Sequence, residues 1–172
     1  MSDEQKILPS YVMFWKTSDK YGFLSQWYKS SFIDGDINFN CVAQYIVYQK
    51  AKLFNDINIA ISIIKEIKLN NIKHLEQQIK NFNEEHWKKP REEILKNALR
   101  LKFNQNKKLK HKLLRHGPHI LFVEANPTDS IWGIGFTEQK AISNFNKWGE
   151  NLLGKILTDI KNEMLLMEHR SI

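Results

Sequence analysis

FNCVAQYIVYQKAKLF, residues 39–54, is the stretch that decides the fold class. Val42, Tyr45, Ile46, Gln49 and Leu53 recur at three- and four-residue intervals, which is the spacing of one helical face. Just before it, Phe32–Phe39 reads as short strands around Asp34-Gly35, a hairpin-type turn, and Tyr11–Lys16 reads as a further strand. After it the helical period continues. Asn55-Asp56 offers a cap, and Ile57, Ala60, Ile61 and Ile64 form the next stripe. Ile72, Leu75, Ile79 and Phe82 form another. Pro90 suits the first turn of a helix whose positive end is favoured by Glu92 and Glu93, with Ile94, Ala98 and Leu101 inward. Leu109, Leu113 and Leu114 lead to a stop at Gly117-Pro118.

The remaining chain alternates more sharply. His119–Ala125 reads as a short buried strand. Asn126–Gly135 holds Pro, Asp and two Gly and reads as a loop. A last helix is expected from about Ala141, turning Ile142, Phe145, Leu152, Ile156 and Ile160 inward. The expected fold is mainly α, an α+β arrangement with a few short strands in one compact domain. Residues 11–165 would form that domain, between a flexible N-terminus (1–10) and a C-terminal tail (166–172).

Composition sets limits on function. At 172 residues and 42% hydrophobic, the chain can bury a core. Its one cysteine, Cys41, excludes an internal disulfide and has no histidine beside it in sequence to activate it. The opening MSDEQK lacks the apolar stretch of a secretory signal, and no apolar run has membrane-spanning length. A cytoplasmic protein with no membrane partner is the expectation. None of the six histidines falls into a metal-ligating pattern, and Gly133-Ile134-Gly135 lacks the remaining residues of a phosphate loop. Neither metal nor cofactor is expected.

The formal charge of +7 is unevenly spread. Lys88–Arg115 holds eleven Lys and Arg against two acids, a net of +9, and the rest of the chain is slightly acidic. Such a face either attracts phosphates or is simply the solvated side of helices. Lys107, Lys108 and Lys110 are its densest cluster and the candidate nucleic-acid contacts.

Two segments carry groups suited to chemistry. VEANPTDSIWGIG (123–135) gathers Glu124, Asp129, Trp132, Gly133 and Gly135 on or beside one loop. Asp can hold a ribose hydroxyl or a water, Trp can stack on a base, and glycines admit close backbone approach. A tight structural loop with Asp as turn former explains the same residues. In residues 39–54, position 43 and Lys50 share a helical face.

Taken together and in order, six stretches resemble the NADAR family of N-glycosidase-like proteins. They are YGFLSQWYKSSFIDG (21–35), FNCVAQYIVYQKAKLF (39–54), FNEEHW (82–87), KFNQN (102–106), LLRHGPHILFVEANPTDSIWGIG (113–135) and NLLGKIL (151–157). The resemblance implies a compact, mainly helical fold and cleavage of an N-glycosidic bond at a ribosyl carbon. It implies one of two substrate classes: ADP-ribose on guanine, where family members act as antitoxins to DNA ADP-ribosyltransferases, or a phosphoribosyl intermediate of riboflavin synthesis. A non-catalytic ADP-ribose-binding module is a third reading.

Three departures stand out. The family's helical glutamate falls on Ala43, its Asn after the opening Ser falls on Gln26, and its Gly-Arg falls on Glu76-Gln77. Alanine can neither stabilise an oxocarbenium-like centre nor activate water, so this form is expected to be impaired. Lys50, Glu124, Asp129, Trp132, Gly133 and Gly135 persist, which favours replacement of one glutamate over the drift of a pseudoenzyme. By resemblance, Asp129 would hold ribose or the attacking water, Lys50 a phosphate, and Trp132 and Trp87 the pocket walls. The expected partners are ADP-ribose, ADP-ribosylated guanine and DNA, with single strands preferred because a paired base must be unstacked to enter.

Overall fold

The computed structural model describes Ser10–Arg170. In chain order the elements are β1 (Ser10–Phe14), β2 (Phe32–Asp34), β3 (Ile37–Phe39), α1 (Val42–Leu53), α2 (Ile57–Lys65), α3 (Leu69–Gln77), α4 (Glu84–Lys88), α5 (Pro90–Gln105), α6 (Lys107–Leu114), β4 (Ile120–Glu124), α7 (Glu138–Ala141) and α8 (Leu152–His169). The fold is mainly helical with short strands, as the sequence implies. Ser10 opens β1, and α8 continues through residues 166–169. The rest of the two expected terminal segments, residues 1–9 and 171–172, lies outside the described residues. The described residues divide into two compact units, Lys16–Leu113 and residues 10–15 with 114–170.

In the unit Lys16–Leu113, β2 and β3 pair antiparallel around the Asp34-Gly35 turn, where Gly35 takes a φ of +58°. Helix α1 is buried around most of its first two turns rather than along one stripe: Val42 to Val47 are all inaccessible, while Leu53 is exposed. The reason is Gln44, a buried polar residue that periodicity does not mark. Its Oε1 accepts from Asn40 N at 2.7 Å, and its Nε2 donates to the carbonyls of Ile63 and Glu66 at 2.8 and 2.9 Å. That fork fastens the start of α1 to the end of α2. Asp56 caps α2 as expected, its Oδ1 accepting from Ile59 N, but Ile57 and Ile61 are exposed and Ile63 takes the core position. Helix α3 ends at Gln77, so Phe82 lies beyond it and is exposed, contrary to the expected stripe.

In α5 the inward face is Leu95, Ala98, Leu99 and Phe103, a shift from the expected Ile94 and Leu101. Two of its basic residues are also buried. Arg91 pairs with Glu84 at 2.8 Å, and Lys102 is 0% exposed. These two charges are therefore internal and belong neither to a solvated face nor to a phosphate-attracting one.

In the other unit, β1 and β4 pair in parallel, Ser10 with Ile120 through Phe14 with Glu124. Helix α8 lies against β4, and its side chains satisfy the strand's free backbone groups. Thr158 Oγ1 accepts from Phe122 N, while Asn151 accepts from Glu124 N and donates to Phe122 O. Asn151 thus substitutes for a neighbouring strand. A Cβ on Gly154 would come within 2.3 Å of the Phe122 carbonyl, so only glycine lets α8 approach this closely. Those two contacts give the sequence NLLG its physical meaning. Buried Lys161 donates to the carbonyls of Gly117 and Ile120 and holds the entry to β4. Residues 141–151 are not one helix with α8: α7 gives way to a 3-10 turn and an irregular break, leaving Ile142 65% and Phe145 52% exposed. Among the described residues no helix is long and apolar enough to cross a membrane.

Candidate functional site

The candidate residues fall in both units. Glu124, Asp129, Trp132, Gly133 and Gly135 belong to one; Ala43, Lys50, Trp87 and the lysine cluster belong to the other.

Strand β4 ends at Glu124, and the chain then turns through a loop closed by its own polar groups. Asp129 Oδ1 accepts from Ile131 N at 2.9 Å and Trp132 N at 2.8 Å, and the Asp129 carbonyl accepts from Gly135 N at 2.9 Å. Asn126 Oδ1 accepts from the backbone and hydroxyl of Thr128. Gly133 sits where a Cβ would lie 2.7 Å from the Glu124 carbonyl and 3.0 Å from that of Asp129, and Gly135 adopts a φ of +75°. Both glycines are structural requirements of the loop. Trp132 is half-buried.

The loop is also stitched to the start of α8. Asn151, Leu152 and Leu153 donate their N–H groups to the carbonyls of Gly133, Ile131 and Trp132, each at 3.0 Å. A helix N-terminus leaves several donors without intrahelical partners, and here the loop supplies their acceptors. The position of Asp129 and Trp132 is therefore fixed by backbone from two directions.

Glu124 is the electrostatic anomaly of this unit. Its side chain is buried, the residue being 3% exposed, and Oε2 has no hydrogen-bond partner. Burial first, and the nearby Asp129 carboxylate second, push its pKa up to about 8, against a weaker opposing hydrogen bond from Asn126. At neutral pH it holds a proton. A buried, proton-bearing carboxyl with one oxygen unpartnered, beside a second carboxylate, is a frequent mark of a functional site.

In the other unit, Ala43 is buried in the first turn of α1, its N–H bonded to the Gln26 carbonyl at 2.9 Å. Two turns on, Lys50 is not a free cation. Its ammonium lies 2.8 Å from Glu76 Oε1, 4.2 Å from the ring centre of Phe82 and 5.5 Å from that of Trp87. Glu76, one of the residues standing where the family has Gly-Arg, is its counter-ion. Trp87 is buried against it. Lys107 and Lys108 are exposed in the first turn of α6 and, with Tyr28, Lys29 and Ser30, line an open cleft of about 500 Å³. Lys110 is half-buried.

The residue missed from sequence is Lys102. Its ammonium donates to the carbonyls of Phe23 at 2.7 Å and Ser25 at 3.4 Å, and burial pulls its pKa down to about 7. It ties α5 to the segment that leads into Gln26. The motif KFNQN carries the signal, which the surrounding basic run obscures.

A NADAR domain matches residues 13–165, and the chain belongs to that family. It is a family of glycosidase-type hydrolases. Over 146 residues, 81% of this chain and 85% of its relative, the sequence is 40% identical to a protein of Acanthamoeba polyphaga mimivirus named an N-glycosidase. It is 26% identical over 163 residues, 95% of this chain but 40% of the relative, to a Vibrio vulnificus protein named for riboflavin biosynthesis. The NMR structure of E. coli YbiA shares the fold, with a TM-score of 0.78, 24% identity, and coverage of 95% of this chain and 89% of that one.

Proposed function

We propose that this chain is built for hydrolysis of the bond between ribose and a guanine base, releasing ADP-ribose from modified nucleotide or DNA as an antitoxin-like activity. Alanine at position 43 then holds it in a binding form that turns over slowly. The observation that carries the reading is the loop around Asp129: a carboxylate fixed by two N–H groups, beside a proton-bearing Glu124, with Trp132 and two glycines on the same loop.

The chemistry asks for little else. Breaking the C1′–N bond develops positive charge on the sugar, and a carboxylate placed beside C1′ lowers the energy of that state. Water adds at C1′ and gives up a proton, and the base departs carrying one. Asp129, with Oδ1 committed to the loop, can direct Oδ2 to a ribose hydroxyl or the attacking water. Trp132, on the same loop, can supply an aromatic surface. Lys50 can meet a phosphate by exchanging it for Glu76. The carboxylate missing at position 43 is the one that would stabilise the sugar's charge.

The name of the Vibrio relative favours a second reading, an N-glycosidase for a phosphoribosyl intermediate of riboflavin synthesis. Salt separates the two. Lys107, Lys108 and Lys110 would contact backbone phosphates of single-stranded DNA, and each neutralised phosphate contributes a log–log slope of about −0.7. Binding of a modified oligonucleotide should weaken steeply with salt; binding of a small phosphoribosyl compound should not. DNA affinity insensitive to salt would overturn the nucleic-acid reading.

A further inference from the structure

A second cleft of about 380 Å³ lies in the same unit as the Asp129 loop and is not part of that loop. Its floor includes Phe122 of β4. Tyr11, Phe145 and Trp148 form an aromatic cluster at the cleft, and Lys155 and Asp159 of α8 also line it. The rings are arranged rather than scattered. Trp148 packs against Tyr11 edge-on at 5.7 Å and against Phe145 at 4.8 Å, and its Nε1 is anchored to the Ala141 carbonyl at 2.8 Å. Phe145 remains half-exposed on a 3-10 segment interrupted by a kink at Asn144, an unusual position for an aromatic ring that serves only the core.

The polar side is equally specific. Lys155 and Asp159 are four residues apart on α8, hence neighbours on one helical face. They form no salt bridge with each other, and neither side chain is engaged by another group among the described residues. One supplies donors and the other acceptors, about one helical turn apart. A purine edge carries both kinds of partner, ring-nitrogen acceptors and an exocyclic amine, which these two flexible side chains can meet. A lipid or aliphatic chain would leave both charges without a role.

We infer that this cleft is a purine-binding subsite, in which a base such as adenine lies against Phe145 and Trp148 while its polar edge meets Lys155 and Asp159. Its position ties it to the Asp129 loop. Trp148–Asn151, one wall of the cleft, is bonded to that loop through Gly149 N to Ile134 O, Glu150 N to Ser130 O and Asn151 N to Gly133 O. A Cβ on Gly149 would meet the Ser130 carbonyl at 2.2 Å, so wall and loop are in direct backbone contact. Filling the cleft would steady the segment that positions Asp129 and Trp132. The inference rests on the proposed function only for the source of the base, which there is the adenine end of ADP-ribose.

The test is a ¹H–¹⁵N NMR titration with AMP, with ribose 5-phosphate as the control lacking a base. AMP should shift the Trp148 indole N–H and the Phe145 amide, and ribose 5-phosphate should leave both unmoved. Phe145→Ala, which removes a half-exposed ring, should weaken AMP about tenfold, the usual effect of losing one base-stacking partner. Asp159→Asn should weaken adenosine and AMP alike. ADP-ribose shifting the same resonances would identify the base as the substrate's own; shifts from AMP alone would assign the cleft to a separate nucleotide, and either leaves it a purine site. The inference is overturned if AMP leaves Trp148 unmoved, or if Phe145→Ala binds AMP as the parent does. Neither result bears on hydrolysis, which is read separately from product release.

Discussion

Glu124→Gln isolates the buried carboxyl at the end of β4. Folded, the group keeps its proton up to about pH 8; the ordinary value is 4.5. Between those limits the folded state binds more protons than the unfolded state. Stability must then fall as pH rises through this window, by about 1.4 kcal/mol per pH unit for a single group. At pH 7 the accumulated loss is about 3 kcal/mol, a large share of a typical domain's stability. Glutamine has the same shape and does not titrate, so it escapes the loss. The assay is urea unfolding of parent and variant at pH 5, 6 and 7, read as the difference between them. All other titrating groups cancel in that difference. The variant should gain on the parent by about 2.5 kcal/mol between pH 5 and pH 7, since part of the loss has already occurred by pH 5. A difference that stays constant across the range would mean that Glu124 ionises normally, and the electrostatic account of the loop would fall with it.

Asp129→Ala removes the acceptor for two loop N–H groups and should cost about 1–2 kcal/mol, while Asp129→Asn keeps that acceptor and should melt near the parent. Calorimetry should show both variants losing ADP-ribose; parent-like binding by Asp129→Asn would reduce Asp129 to a turn former. Gly133→Ala drives a Cβ against two backbone carbonyls and should destabilise by about 2 kcal/mol or more in thermal melts, with parent-like stability arguing against the loop geometry described. Charge reversal at Lys107, Lys108 and Lys110 should flatten the salt dependence of single-stranded DNA binding and leave ADP-ribose affinity unchanged. Equal loss of both ligands would place these lysines in the nucleotide site or the fold.

Most elements were legible because their signals are local. Asp56 before Ile57, Pro90 at a helix start, Asp34-Gly35 between strands and the apolar run before Glu124 each act through neighbours in sequence. What could not be read depends on partners far along the chain. Gln44 looks like a surface residue until it meets Ile63 and Glu66, and Lys102 looks solvated until Phe23 and Ser25 supply its acceptors. Lys50 looks like a solvated cation until Glu76 appears beside it. The spacing of Ile142 and Phe145 with α8 predicts a longer last helix, yet the chain breaks between them and Leu152, and those side chains face outward. Within the loop, Asp129, Trp132 and the glycines were found by pattern and resemblance. The proton on Glu124 was not, because it arises from burial.

The central claim is tested most directly at position 43. Parent and Ala43→Glu should be compared on ADP-ribosylated guanosine, with released ADP-ribose and unmodified guanosine quantified over a time course. A carboxylate that stabilises the sugar's charge is worth about a hundredfold or more in rate. The account predicts that the parent binds the nucleotide with little turnover, while Ala43→Glu releases both products at least that much faster. Equal product release from the two forms, with both bound to substrate, would contradict it.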